Sequence, residues 1–268
     1  MSDARLADVV AALSASRKYA HLCPATLARV ARWALLRHAP VREATKAAKR
    51  KLHQVYGAYA NQLDLQRLAA LVEAVPPVGN ASAFAAACRE LLACHTSTAE
   101  RLPFVEELYP TLFAHTGVPA SLADLACGLN PCAVPWMGLA PGTRYVACDI
   151  DRRIVEAASR LLAHAGVDGT VECRDVLVHP PEWAVDVALL LKSAPCLEQQ
   201  EKGATLRVLR AVQAKHLVVS YPAQSLSGRG KGMRATFEAQ ARRLAEALGA
   251  ETQRLDFPTE TLYVLMRR

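Results

Sequence analysis

The 268-residue chain has no run of about 18 uncharged apolar residues, so no membrane-spanning helix is expected. Its opening, Met1-Ser2-Asp3-Ala4-Arg5, lacks a basic segment followed by an apolar one, and a secretory leader is not expected either. No Cys-x-x-Cys occurs among the eight cysteines, and neither His21 with Cys23 nor Cys127 with Cys132 fits a common zinc-ligand set. A thiol redox motif and a bound metal are therefore not expected. Most thiols sit in apolar runs, as in Tyr145-Val-Ala-Cys148, and read as buried, reduced cysteines of a cytoplasmic protein. Internal repeats and low-complexity tracts are missing. So are two nucleotide signatures. There is no Gly-x-Gly-x-x-Gly, and the stretch Ser225–Met233 fails the Walker pattern, because Ser225 stands where its first glycine should be and Gly232 where its Ser/Thr should be.

What the chain does have is apolar substance, 52% of its residues, enough for one large domain or two small ones. Its formal charge of +7 is unevenly spread. Residues 1 to 60 carry eleven Lys/Arg, from Arg5 to Lys51, against Asp3, Asp8 and Glu43. Such asymmetry is the footprint of a nucleic-acid binder, or of a basic surface without a polyanionic partner. This half reads as helices. Leu6, Val9, Val10 and Leu13 recur at helical spacing, Pro24 can open a second helix, Pro40 breaks it, and a third carries Lys46, Lys49, Arg50 and Lys51. Pro76-Pro-Val-Gly79 reads as a connector. From about residue 120 strand-length apolar runs alternate with helical stretches. Runs are expected at 122–126, 144–148, 170–173, 185–191, 216–220, 252–257 and 261–266, the last antiparallel because only Pro258-Thr-Glu260 precedes it. The expectation is an α/β fold with a mostly parallel, seven-stranded sheet: a helical, basic unit over 1–112 precedes a Rossmann-like unit over 113–268.

In such sheets ligands bind beyond the carboxyl ends of the strands. Asp124-Leu-Ala-Cys-Gly128-Leu-Asn130-Pro131 is a strand entering a tight turn at a glycine, where backbone can approach a ligand closely. Asp149 ends the second strand, where an acid can accept from a ribose diol, and Asp175 follows the third, where it could meet an adenine amino group. With one glycine in the turn and Ala126 two residues before it, the loop suits a nucleoside without a pyrophosphate, S-adenosylmethionine. The alternative is that these acids are solvated strand ends. Ser227–Met233 reads as a flexible basic loop able to reach phosphates, or as plain surface. Trp33, Trp136 and Trp183 read as core or interface aromatics.

Several stretches together resemble the aminoglycoside-resistance 16S rRNA (guanine 1405, N7) methyltransferases. They are Ser16-Arg-Lys-Tyr19, Leu22-Cys-Pro24, His95-Thr-Ser-Thr-Ala-Glu-Arg101-Leu, Asp124 to Pro131, Cys148-Asp-Ile150, Arg174-Asp-Val-Leu177 and Ser225 to Met233. Leu191-Lys-Ser-Ala-Pro195 departs from that family's bulkier Lys-Leu-Leu-Pro form. The resemblance implies a class I, Rossmann-like methyltransferase, monomeric and cytoplasmic, using S-adenosylmethionine on 16S rRNA of the assembled 30S subunit. It places His95, Ser97, Arg101, Asp124, Ala126, Gly128, Asn130, Asp149, Ile150, Asp175, Val176, Leu191 and Lys192 at the cofactor, with Arg101 at the methionine carboxylate. It places Lys46, Arg50, Lys51, Arg174, Arg229, Lys231, Met233 and Arg234 at the rRNA. No acid or base is expected among the catalytic groups, because guanine N7 carries a lone pair and no proton. Two other readings stand beside this one. One is a methyltransferase for the N1 of a nearby adenine, and the other is a ribosome-binding protein that kept the fold without the activity.

Overall fold

The computed structural model describes residues 3–60, 65–76, 78–223 and 231–267. Among the described residues seven α-helices come first: α1 (Asp3–Ser14), α2 (Pro24–Leu35), α3 (Val41–Ala60), α4 (Leu65–Glu73), α5 (Ala81–Ala93), α6 (Thr96–Ala99) and α7 (Val105–Thr116). Then strands and helices alternate: β1 (Ser121–Leu125), α8 (Val134–Met137), β2 (Arg144–Asp149), α9 (Arg152–His164), β3 (Asp168–Cys173), β4 (Ala184–Leu190), α10 (Ala194–Gln200), α11 (Ala204–Ala211), β5 (Gln213–Pro222), α12 (Lys231–Leu248), β6 (Ala250–Asp256) and β7 (Glu260–Arg267). Each of the seven expected strands is present. Pro24 stands at the first turn of α2, where its missing N–H leaves no bond unmade. Asp151 caps α9 by accepting from the Arg153 N–H at 3.0 Å.

One sheet holds all seven strands in the order β3-β2-β1-β4-β5-β7-β6. The first five are parallel, and β7 runs antiparallel to both β5 and β6. Alternate side chains leave the sheet on opposite faces. Leu122, Val187, Leu189, Val218, Leu262 and Val264 share one core with α4, α5, α7 and α9. Ala123, Leu125, Ala188, Leu190, Leu217, Val219 and Leu265 share another with α10, α11 and α12. On α9 the inward stripe is Ile154, Ala157, Ala158, Leu161 and Leu162. Gly169 on β3 lets that helix come close, since a Cβ there would lie 2.6 Å from Leu162 Cβ.

A third core belongs to α1, α2 and α3, with Val9, Leu13, Leu27, Val30 and Leu52 at its centre and Ile150 packed against it. The boundary expected at 112/113 does not follow these cores. Phe84, Leu91, Leu108 and Leu112, expected in the N-terminal unit, cover the sheet, because their helices carry the apolar face that this side of the strands needs. The break in packing falls between Tyr56 and Leu68. The three-helix bundle sits over the ends of β2 and β3. Leu22 bridges Asp151, Cys23 N donates to Ile150 O at 2.7 Å, and Arg152 N donates to His21 O at 3.0 Å. All eight cysteines are free, and Cys173 and Cys196 are the two that are only partly buried. Among the described residues no helix is long and apolar enough to cross a membrane, and no group of three or more His, Cys, Asp or Glu could hold a metal.

Candidate functional site

The carboxyl ends of β1 to β4 open into a cavity of about 970 Å³, counting its mouth. At the tip of β1 the chain turns sharply: Ala126 has φ +50° and Gly128 φ +53°, and only the glycine takes that region without a Cβ clash. The turn points the Gly128 N–H at Asp149 Oδ2, 3.0 Å away, while Asp151 N donates to Asp149 Oδ1 at 2.9 Å. Burial pushes the Asp149 carboxyl up to about 6, and these N–H groups pull against it. Its neighbours along the wall are Ile150, Ile154, Val176, Leu177, Leu191 and Leu197, which make an apolar slot between polar ends.

All the expected cofactor residues line this cavity except Asp124 and Asn130. Those two lie behind it. Asp124 is fully buried and its Oδ2 accepts from Asn130 Nδ2 and Tyr145 OH, each at 2.8 Å. Its Oδ1 has no hydrogen-bond partner among the described residues. Burial raises this carboxyl to about 7 against the pull of its two donors. Asn130 Oδ1 in turn accepts from Tyr109 OH at 2.6 Å and from Arg101 Nη1 at 3.0 Å. Asp124 and Asn130 are therefore a prop for Arg101 and the β1 turn rather than cavity wall.

Arg101 is 4% exposed and its partner Glu260 is 0% exposed. Nε and Nη2 meet the Glu260 oxygens at 2.6 and 2.9 Å, a two-point pair. Burial opposes both charges, but their mutual attraction wins: the arginine pKa is raised and the glutamate pKa lowered. With three N–H groups engaged, two of the guanidinium's five remain for a ligand. Lys192, at the tip of β4 with φ +58°, is 7% exposed. Its Nζ contacts Glu100 Oε2 at 2.6 Å and Glu260 Oε2 at 3.6 Å, and its N–H donates to Ser220 Oγ at 2.8 Å. Ser220 Oγ donates to Glu260 Oε1. His95 lies beside Ser97, with Nδ1 2.6 Å from its Oγ. Burial, reinforced by Arg101 and opposed by Asp151, holds its pKa down to about 4, so the ring is neutral.

The opposite wall brings in residues that sequence reasoning missed. Arg29 and Tyr56 come from the N-terminal bundle and Gln200 from α10. Tyr56 OH donates to Asp151 Oδ2, which Arg153 also holds at 2.7 Å. Asp175, 2% exposed, is held by Thr26 and Arg29. Nothing local marks Arg29 or Thr26. Glu260 was traceable: an antiparallel β7 must begin where its parallel neighbours end, and Glu260 indeed faces Pro222.

The expected rRNA residues that the structure describes fall in three places. Lys46 and Arg50 are exposed along α3, with Lys46 Nζ 3.1 Å from Glu43. Lys51 and Arg37 flank the Trp33 ring, 5.5 and 4.6 Å from its centroid. Arg174 lines the cavity itself, pairs with Glu172 at 2.7 Å and packs over Trp183. Met233 and Arg234 lie in the first turns of α12, and Arg234 Nε donates to Ala223 O at 2.9 Å. Arg229 lies outside the described residues, as does the Lys231 side chain.

The sheet order, with Asp149 and Asp175 at the ends of β2 and β3 beside an apolar slot, defines a Rossmann-like methyltransferase of class I. The ribosomal RNA methyltransferase (FmrO) family model matches residues 15–264, and the chain belongs to that family. It is 39% identical to a 16S rRNA (guanine(1405)-N(7))-methyltransferase of Micromonospora echinospora over 98% of this chain and 97% of that one. It is 34% identical to the enzyme of the same name from Serratia marcescens over 87% and 86%. Among solved structures, the 16S rRNA methyltransferase RmtF in complex with S-adenosyl-L-homocysteine superposes with a TM-score of 0.84 at 31% identity over the whole of both chains. The 16S rRNA methylase RmtB gives 0.82 at 28% identity over 98% of each.

Proposed function

We propose that this protein methylates N7 of guanine 1405 in 16S rRNA of the 30S subunit, with S-adenosylmethionine as donor, and so protects the ribosome from aminoglycosides. The observation that carries this reading is the agreement with guanine 1405 N7 methyltransferases over nearly the full length of both chains. The cavity fits the donor on its own chemistry. Asp149 offers a fixed acceptor for a ribose diol, Arg101 keeps two N–H groups for a carboxylate, and the slot of Ile150, Val176 and Leu197 suits a flat base edged by Asp175.

The bound donor supplies an electrophilic sulfonium methyl. The protein's own part is to place it. Glu260, Asn130 and Lys192 fix the charged end, and the neutral His95 adds no positive charge beside the reacting centre. The guanine nitrogen brings its own lone pair, so no residue needs to remove a proton and positioning supplies the acceleration. Taking the base out of its stack costs a few kcal/mol. Phosphate contacts from Lys46, Arg50, Lys51, Arg229, Lys231 and Arg234 offset that cost in this reading, with Met233 beside the base. The α1–α3 bundle is the docking unit that seats on the subunit, and the protein works as a cytoplasmic monomer without metal.

In vitro methylation of 30S subunits, followed by mapping of the modified nucleotide, tests the proposal, with free 16S rRNA run alongside. Modification confined to N7 of guanine 1405 in assembled subunits is expected. Modification of an adenine N1 would replace the target assignment, and failure to bind the donor in calorimetry would leave a ribosome-binding protein instead.

A further inference from the structure

We infer that Thr26 and Arg29, on the N-terminal bundle, are positioning residues for the methyl donor: they aim the Asp175 carboxylate so that one oxygen position is left to receive the adenine amino group. The inference rests on the donor reading of the cavity and deepens it.

Asp175 Oδ2 accepts from Thr26 Oγ1 at 2.8 Å and from Arg29 Nε at 2.9 Å, with Arg29 Nη2 also 2.9 Å away. Oδ1 accepts from the Leu177 N–H at 2.9 Å. A carboxylate has about four acceptor positions. The two on Oδ2 are filled, one on Oδ1 is filled, and the remaining one belongs to Oδ1 on a residue that lines the cavity. Thr26 is 0% exposed and Asp175 2%, so water does not compete for the bond between them. Arg29 is fixed at its other side by Gln200 Oε1 at 2.8 Å, which ties α2, the tip of β3 and α10 together around the slot. The seam is closed beside these residues by the Cys23 N–H on Ile150 O and by the Leu22–Asp151 bridge. A carboxylate held this way accepts but does not donate, so it selects a 6-amino purine over a 6-oxo purine.

The test is calorimetry of S-adenosylhomocysteine against its 6-oxo counterpart, S-inosylhomocysteine, on the full chain. Wild type is expected to prefer the amino ligand by at least about tenfold, the strength of one hydrogen bond to a charged acceptor. Thr26→Val, which keeps size and removes the hydroxyl, and Arg29→Gln are each expected to collapse that preference toward unity. Thr26→Ser retains it. A loosened fold would weaken both ligands alike and leave the ratio unchanged. An unchanged ratio in Thr26→Val overturns the positioning role while the donor reading stands. A wild-type protein that binds neither ligand overturns the donor reading and this inference with it. One that binds both equally removes the adenine contact at Asp175 and the role assigned to its two holders.

Discussion

Replacing Glu260 by glutamine keeps its shape and removes its charge beside Arg101. The two side chains are 0% and 4% exposed, so solvent screens the loss little. Breaking a buried ion pair from one side costs about 3–5 kcal/mol, because the remaining charge is left uncompensated. Glutamine can still accept one guanidinium hydrogen, and Asn130 keeps another, which puts the expected loss at the lower end, roughly 3 kcal/mol. For a chain of this size each kcal/mol moves the melting temperature by about 2–4 °C, so Glu260→Gln should melt roughly 6–12 °C below wild type. The pH dependence has a definite sign. The folded-state pKa of Glu260 lies below its ordinary 4.5, so the pair's stabilisation is present above that value and is lost as pH falls through the depressed one. The gap between variant and wild type should therefore narrow in acid. A double variant, Arg101→Met with Glu260→Leu, should regain much of the stability, since a buried pair replaced by apolar groups of similar volume is often neutral. It should not regain affinity for S-adenosylhomocysteine, because the guanidinium proposed to hold the ligand's carboxylate is gone. Scanning calorimetry at several pH values reads all of this. A Glu260→Gln protein melting within about 2 °C of wild type at neutral pH would refute the reasoning.

Donor binding should weaken below about pH 6, where burial has brought the Asp149 carboxyl to its titration point. A protonated Asp149 accepts from a diol poorly, so affinity stays flat above pH 7 and falls as the proton goes on; Asp149→Ala should abolish binding at every pH with the circular dichroism spectrum intact. Ala126→Gly should raise the denaturant midpoint by an amount worth about 1 kcal/mol, by relieving a φ of +50°, whereas Ala126→Val should lower it. Affinity for 30S subunits should fall steeply with salt, and Arg50→Glu should reduce the log–log slope by about 0.7–0.9 for each phosphate that is no longer neutralised, with S-adenosylhomocysteine affinity unchanged. An undiminished slope would remove Arg50 from the rRNA surface.

The local sequence determined the elements and the strand tips. The α9 stripe from Ile154 to Leu162 and the apolar runs around Leu122 and Val187 announce their own period, and a polar residue at the end of such a run has to sit at the edge of the sheet. That is why Gly128, Asp149 and Asp175 were legible in one dimension. Even the reversal of β7 followed from the shortness of Pro258-Thr259-Glu260. The tertiary structure alone decided which charges meet. Arg101 finds Glu260 across 159 positions, and Thr26 finds Asp175 across 149, distances at which periodicity carries no information. It also decided that α4, α5 and α7 join the core on one face of the sheet while the α1–α3 bundle sends Arg29 and Tyr56 into the cavity wall, because an amphipathic helix specifies that it must bury a face but not which surface will cover it. Topology makes that choice, and here it assigns one wall of the proposed donor pocket to the bundle in which the sequence had shown a basic charge.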